Sequence, residues 1–315
     1  MQKTTKWGLG IVCICVNANQ ALSQYYFRDA KHYSNDVVIE AGASVGVMNS
    51  FTDLGGRKGK GKGFLKDYTA KTSKPSVSIY AAAIYKEWLA IRLEATLGTV
   101  HAYDSILQDF SGSTKGRYER NLSFKSNIRD LQLAFELHPL FFKHYDEDKA
   151  PFLSPYIVGG IGVYSFNPQA KLNGRWYDLQ PLRTEGQGFA DYPDKKPYKL
   201  TQFNVPVGIG LRYEVNTNLF VRAEFLHRIL FTDYLDDVSG TYINPEVFNK
   251  NLPPAQANIA RQLSNRSVPM QNGYKPGANA QRGDPSDNDA FFTFQLKVGY
   301  TFPGQKRNAV RRVYY

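Results

Sequence analysis

The sequence predicts an all-β fold, an eight-stranded antiparallel transmembrane β-barrel with long extracellular loops and short periplasmic turns. Three observations predict it: segments in which apolar and polar residues alternate, an even number of such segments, and connections that are alternately long and short. Outer-membrane barrels have this form because each pair of strands returns the chain to the periplasm.

Eight segments carry the alternation. They cover residues 37–48, 75–86, 88–102, 120–140, 153–166, 200–214, 218–231 and 290–302. The connections after odd-numbered strands are 49–74, 103–119, 167–199 and 232–289, whereas those after even-numbered strands are 87, 141–152 and 215–217. We therefore expect one end of the barrel to carry large surface loops and the other to carry tight turns.

The amino terminus has the pattern of a secretory signal. Lys3 and Lys6 precede an apolar run over 7–16, and Ala21-Leu22-Ser23 places small residues before a cleavage point at Gln24. A membrane-spanning helix would need about 20 apolar residues. The predicted organisation is a signal peptide at 1–23, a periplasmic segment at 24–36, an outer-membrane barrel at 37–302 and a basic periplasmic tail at 303–315.

Both cysteines, Cys13 and Cys15, fall within the predicted signal peptide. The mature chain would therefore have no disulfide and no cysteine-based metal site.

The two faces of the predicted strands differ sharply. In the first strand, Val37, Ile39 and Val45 share one face while Glu40 and Ser44 share the other. An apolar face toward lipid and a polar face toward the lumen produce this pattern. A soluble β-sandwich is the alternative, but its polar face favours Lys, Thr and Ser, whereas this one is rich in Gly and in charges of both signs.

The fourth strand departs from regular alternation. Its apolar positions change phase between Phe124 and Leu131. The sequence therefore predicts a β-bulge between these residues.

The polar faces would place five acids and five bases inside the barrel. A lumen of eight strands is only wide enough for side chains to fill, and ionised groups there must be paired or hydrated. We therefore predict a plug of ion pairs rather than a porin channel; a proton or ion pathway is the alternative. The predicted lumen residues are Glu40, Arg92, Glu94, Asp130, Glu136, Arg212, Arg222, Glu224, Arg228 and Lys297.

The first long loop is basic and rich in glycine. Gly56, Gly61 and Lys62 have the spacing of a phosphate-binding loop, but Gly63 stands where Ser or Thr is required and no helix follows. The sequence therefore predicts a flexible basic surface loop that contacts outer-membrane lipids and lipopolysaccharide phosphates. The formal net charge of +11 includes the two lysines of the predicted signal peptide, and no motif indicates nucleic acid.

The last long loop begins with an acidic rim cluster, Asp233, Asp236 and Asp237. A calcium site is the alternative, but the spacing lacks the alternate oxygen ligands and the glycine of known calcium loops. We expect a solvated or arginine-paired rim that pins the loop. The Gly, Asn and Pro content of 271–289 favours partial disorder.

The histidines do not form a catalytic pattern. His101, His138, His144 and His227 fall on different strands or their ends, and His32 precedes the barrel. The sequence predicts no catalytic, cofactor or metal site and hence a non-enzymatic protein. A membrane lipid hydrolase that presents His227 is the alternative.

The predicted tail offers a docking surface for a periplasmic partner. It carries four bases and no acid, and it ends in aromatic residues; Arg and Tyr are types enriched at interface hot spots. A solvated tail, with docking at the turn near Tyr145, is the alternative. The candidate docking residues are Lys306, Arg307, Arg311, Arg312, Tyr314 and Tyr315.

Several segments resemble the PorG-like outer-membrane proteins of the Bacteroidota type IX secretion system. The most specific are Thr-Glu-Gly-Gln-Gly at 184–188 and Asp-Tyr-Leu-Asp-Asp-Val-Ser at 233–239; the others lie at 120–124, 155–162, 166–168 and 179–183. The resemblance implies a non-enzymatic barrel that joins a periplasmic ring of the PorK and PorN type to the outer membrane. The basic first loop and the enlarged last loop depart from the family core.

Three classes of function stay open on the sequence. They are an anchor or assembly component of the type IX machinery, a structural or adhesive barrel without a secretion role, and a membrane lipid hydrolase.

Overall fold

The computed structural model describes residues 37–55, 70–107, 115–143, 151–216, 218–267 and 276–302. The predicted signal peptide, the segment 24–36, the tail 303–315 and most of the basic first loop lie outside these residues. The strands are β1 Val37–Phe51, β2 Lys74–Tyr85, β3 Leu89–Tyr103, β4 Ser123–Leu137, β5 Leu153–Ser165, β6 Pro168–Leu172, β7 Arg175–Asp178, β8 Thr201–Glu214, β9 Leu219–Leu230 and β10 Ala290–Phe302. The helices are α1 Lys115–Arg120, α2 Glu246–Asn251 and α3 Pro254–Ser264.

Eight of the strands close into an antiparallel barrel. β1 to β5 pair in sequence, β5 pairs with β8, β8 to β10 follow, and β10 returns to β1. The predicted eight-stranded barrel is thereby confirmed. The sequence missed β6 and β7, which form a hairpin that extends the wall where β6 pairs with the outer end of β4.

The predicted bulge in the fourth strand is wrong. β4 keeps one register with β3 along its whole length, from Leu89 opposite Leu137 to Tyr103 opposite Ser123. Phe124 is buried on the same inward face as Asp130. The phase changes in the sequence because the barrel interior is polar in its middle and apolar near the outer mouth, so that inward positions change chemistry without any change of backbone geometry.

The outer surface of the barrel is apolar. Outward side chains such as Ile79 and Phe203 are 67% and 68% exposed, and the middle parts of the other barrel strands follow the same pattern. Exposing such side chains to water would cost about 25 cal/mol for each Å². The surface therefore belongs in a bilayer, and the chain is an outer-membrane β-barrel.

The three described helices are short, and none of them has the length and hydropathy needed to cross a membrane. All three belong to the long connections at one end of the barrel.

The third and fourth long connections fold together as a cap over the outer mouth. The cap comprises residues 166–200, 231–267 and 276–289 and has its own apolar core, which includes Phe189, Phe248 and Leu263. Residues 276–289, where the composition favours disorder, are ordered and contain the buried Arg282. Residues 271–275 lie outside the described residues.

Candidate functional site

All ten predicted lumen residues lie on the inward faces of barrel strands and are buried. None of them is more than 6% exposed. The strands that carry them are β1, β3, β4, β8, β9 and β10. The alternation of these strands brings together charges that are far apart in the sequence, and each acid of the set contacts at least one base.

The network begins at the periplasmic end with Glu40. Its carboxylate accepts two hydrogen bonds from Arg212, one of them at 2.9 Å from the Nη1 atom, and a third from Arg222. Arg222 in turn donates to Glu136 across 2.8 Å. A forked guanidinium can hold two carboxylates at once, and this geometry links β1, β4, β8 and β9 across the lumen.

The network continues through Arg92. Its Nη1 atom lies 2.7 Å from Glu224 and also contacts Glu136, while its Nε atom lies 3.1 Å from Glu94. Lys297 closes the set with distances of 2.6 Å to Glu94 and 2.9 Å to Glu224. Four acids and four bases of the predicted set thus form one connected network in which their charges balance, and the half-buried Glu214, 2.8 Å from Arg212, adjoins it.

The last two lumen residues form a separate pair nearer the outer mouth. Arg228 lies 3.2 Å from Asp130, which also accepts a hydrogen bond of 2.8 Å from Asn204. Thr293 accepts a further bond from Arg228.

Aromatic rings fill the space that the ion pairs leave. Tyr156 donates to Glu224 across 2.9 Å, and the guanidinium of Arg212 lies 3.9 Å from the ring centre of Phe220. A glycine on an inward face makes room for such a ring, because a Cβ atom at Gly210 would collide with Tyr156. This explains why the polar faces are rich in glycine.

An apolar layer seals the barrel above the ion pairs. Phe124, Ile128, Tyr164, Leu230 and Phe291 are buried there in a single cluster. An ion that passes through the barrel would therefore have to cross both the ion-pair network and the apolar layer. The loss of hydration in the apolar layer makes this energetically unfavourable.

The rim cluster is buried rather than solvated, and within the described ranges no arginine forms an ion pair with it. Asp236 accepts backbone hydrogen bonds from Leu54 and Val238, at 3.2 and 2.9 Å, and Asp237 accepts one from the Tyr198 hydroxyl at 2.6 Å. The expectation of a solvated or arginine-paired rim is therefore wrong. The cap covers these carboxylates, which the sequence could not indicate because the covering segments are distant in the chain.

Two buried arginines near the rim cluster form ion pairs with other carboxylates. Arg282 lies 2.8 Å from Glu185 and donates to the Asp237 carbonyl across 2.7 Å. Arg120 lies 2.8 Å from Asp104. Sequence reasoning missed both arginines, since each lies in a loop or short helix where a basic residue is ordinarily solvated.

Four buried aspartates of the cap have pKa values above their ordinary range. Burial, with a further contribution from the nearby Asp53, raises the pKa of Asp236 to about 8. Burial also raises the pKa of Asp233 to about 9, and that of Asp237 to about 6. For Asp289 the pKa lies well above its ordinary value because of burial and the neighbouring Asp236 and Asp233.

The remaining predicted sites are outside the described residues or separate from one another. The docking residues from Lys306 to Tyr315 lie outside them, as does most of the basic loop. His138 is buried beside Glu136 at 3.3 Å, whereas His227 packs outward near Phe51. Within the described part of the chain, no three His, Cys, Asp or Glu residues are close enough to hold a metal ion.

Replacing Arg222 by Leu should lower the free energy of unfolding by about 3 kcal/mol, because it leaves Glu40 and Glu136 with less compensation in a buried site. Urea-dependent loss of heat-modifiable migration measures the effect. Arg261→Leu, on the exposed side of α3, is the matched control and should change stability little. A second variant that combines Arg222→Leu with Glu136→Gln should recover part of the loss. No destabilisation by Arg222→Leu would contradict the network.

The cap should become less stable as the pH rises from about 4 toward about 9, since an unfolded aspartate has a pKa of about 3.9 and the folded cap raises it. Below the pKa of the aspartates in the unfolded chain, the protonated carboxyls make their full contribution to the free energy of unfolding. That contribution is lost as the pH rises through the pKa values of the folded cap and the carboxyls ionise. Hydrogen exchange of cap amides between about pH 5 and 9 measures this.

Asp233→Asn is the sharpest variant for this effect, because one carboxyl oxygen of Asp233 is buried without a hydrogen-bond partner among the described residues. The amide should weaken the pH dependence, by an amount on the order of 1 kcal/mol or more, given that one pKa unit is about 1.4 kcal/mol. Asp287→Asn, exposed in the same connection, should leave it unchanged. Equal pH dependence in both variants would rule out Asp233 as its source.

Comparison with known proteins gives likenesses of fold. No curated protein matches the sequence. The attachment invasion locus protein Ail of Yersinia pestis is 10% identical over 84% of this chain and 97% of its own, with a TM-score of 0.34. A major outer membrane protein of Thermus thermophilus is 13% identical over 85% and 100%, with a TM-score of 0.34. Outer Membrane Protein W of E. coli is 14% identical over 85% and 97%, with a TM-score of 0.30.

The family assignment comes from a match of a different kind. A family model described as a domain of unknown function, DUF6089, matches residues 83–249, which extend from the end of β2 through β9 into the cap. This match covers more than half of the chain, and the protein belongs to that family.

Proposed function

We propose that this protein is a non-catalytic barrel that anchors or helps to assemble the type IX protein secretion machinery in the outer membrane. The observation that carries the proposal is the sealed lumen. Arg222, Glu136 and their partners fill the middle of the barrel, and Phe124 and Phe291 fill the layer above. A barrel filled in this way cannot conduct a folded protein, so its part in secretion must be performed by its surfaces.

The resemblance to PorG-like proteins supports a role in type IX secretion in particular. The two sequence runs that carry this resemblance most specifically, 184–188 and 233–239, contact each other within the cap. Thr184 donates to Asp237, and Glu185 accepts a hydrogen bond of 3.1 Å from the Ser239 amide. Because these residues hold the cap together, we assign them a structural role and assign the docking of a PorK and PorN ring to the opposite, periplasmic end.

A non-catalytic role agrees with the use of the polar side chains. The acids and bases of the lumen neutralise one another, and His138 is enclosed beside Glu136. A general base needs access to a substrate proton. The buried partners of these groups leave no such access.

A second candidate is a structural or adhesive surface barrel. The cap favours it, because an ordered outer domain with its own core, including Phe189 and Phe248, presents a defined surface outside the cell. Adhesion would require the cap, whereas ring docking would not. Mutations in the cap should therefore impair adhesion, whereas mutations at the periplasmic end should impair ring docking.

Copurification from detergent-solubilised envelopes tests the proposal. The full chain should retain periplasmic ring proteins, and truncation after Gly304 should reduce their recovery while the barrel, which ends at Phe302, still inserts. The matched control replaces Arg307, Arg311 and Arg312 by Lys, which keeps the charge. Retention by the control and loss by the truncation would indicate a largely electrostatic contact, and recovery should then fall at high salt.

Absence of ring proteins from the full-chain preparation, together with normal secretion in a deletion strain, would overturn the secretion role. Weakened surface attachment in that strain would then favour the adhesive barrel.

A further inference from the structure

The outward face of the barrel changes from apolar to polar within one step on three adjacent strands, β4, β5 and β8. Their last apolar row is Leu131, Val163 and Phe203, which are cross-strand neighbours. The next row toward the cap consists of Arg129, Ser165 and Thr201, with Leu97 of β3 beside Arg129. This boundary marks the height at which the bilayer interior gives way to lipid headgroups.

Arg129 lies at this boundary and faces outward. It is exposed, and among the described residues it has no ion pair or hydrogen bond. All ten residues of the predicted lumen set, by contrast, have partners of opposite charge. A guanidinium that faces the edge of the hydrocarbon layer can reach its partner in the lipid headgroups instead.

A second cation lies on the same outward face as Arg129. Lys125 lies four residues farther out on the same face of β4, with its Nζ atom 4.0 Å from the ring centre of Trp176. In the adjoining hairpin, Asp178 is opposite Gln169 and accepts a hydrogen bond of 2.6 Å from it. The face therefore offers two cations, and the one carboxylate of the hairpin accepts its hydrogen bonds from amides of the hairpin and of the residue that precedes it.

Arg129 lines a groove of about 290 Å³ on the outside of the barrel. Leu97, Leu131 and Val163 form its apolar walls, and Ser165 and Thr201 lie at its polar side. A cation at the headgroup level beside an apolar groove suits a molecule with an anionic head and an acyl chain. Both features occur together in a membrane lipid.

We propose that this groove is a binding site for a phosphorylated glycolipid of the outer leaflet. Arg129 holds a phosphate with its forked guanidinium, Lys125 adds a second positive charge, and one acyl chain lies along Leu131 and Val163. A glycolipid is favoured over a phospholipid because Thr99 and Asn127, a hydrogen-bonded pair on the next outward row, provide polar groups of the kind that sugars bind. The site is independent of the proposed secretion role.

Native mass spectrometry of the delipidated full-length protein in detergent tests the site, with bisphosphorylated lipid A as the probe. Arg129→Ser should weaken lipid A binding about tenfold, as expected for loss of hydrogen bonds to a charged group. Arg261→Ser, which removes an equal charge from α3, should bind as the unmodified protein does. Heat-modifiable migration verifies that both variants are folded.

Two further probes define the ligand. Dephosphorylated lipid A should bind weakly to the unmodified protein, with an affinity no higher than that of lipid A for Arg129→Ser. Phosphatidylglycerol should bind to the unmodified protein more weakly than lipid A does. Equal lipid A binding by the unmodified protein and Arg129→Ser would overturn the site. Binding that is indifferent to the phosphates, or equal for phosphatidylglycerol, would overturn the assignment of its ligand.

Discussion

The neutral ion-pair network of the lumen is the interaction on which the rest of this structure depends. Eight strands enclose too little space for water to hydrate ten charged side chains, so each charge requires an opposite charge nearby. Arg92 and Arg222 meet this requirement by joining three and two carboxylates respectively. The network thereby fixes which strands face one another, and it closes the described barrel to any cargo.

The requirement that a buried charge has an opposite charge nearby has a different result in the cap. Below the apolar layer every acid of the lumen set lies beside a base. Above it, Arg282 of the cap contacts Glu185, whereas Asp233, Asp236 and Asp289 have no ion-pair partner in the described part of the chain. Burial then raises the pKa of these three carboxyls. The barrel is thus held by paired charges, whereas the cap also contains buried carboxyls whose pKa values are raised, and we therefore expect the stability of the cap to depend on pH.

The sequence predicts the barrel well because strand alternation is a local property. Glu40, Arg92 and Lys297 could each be placed on an inward face from their immediate neighbours alone. The bulge expected near Phe124 shows the limit of this reasoning, because the chemistry of the interior changes with depth and depth cannot be read from neighbours. The burial of Asp236 and the role of Arg282 depend on contacts between connections that are far apart in the chain, so no local pattern could predict them.

Ion conductance in a planar lipid bilayer tests the sealed lumen most directly. The purified, inserted protein should produce no steady conductance steps above the background of the bilayer, because the ion-pair network and the layer around Phe124 and Phe291 both close the barrel. A steady, large conductance from the unmodified protein would contradict it.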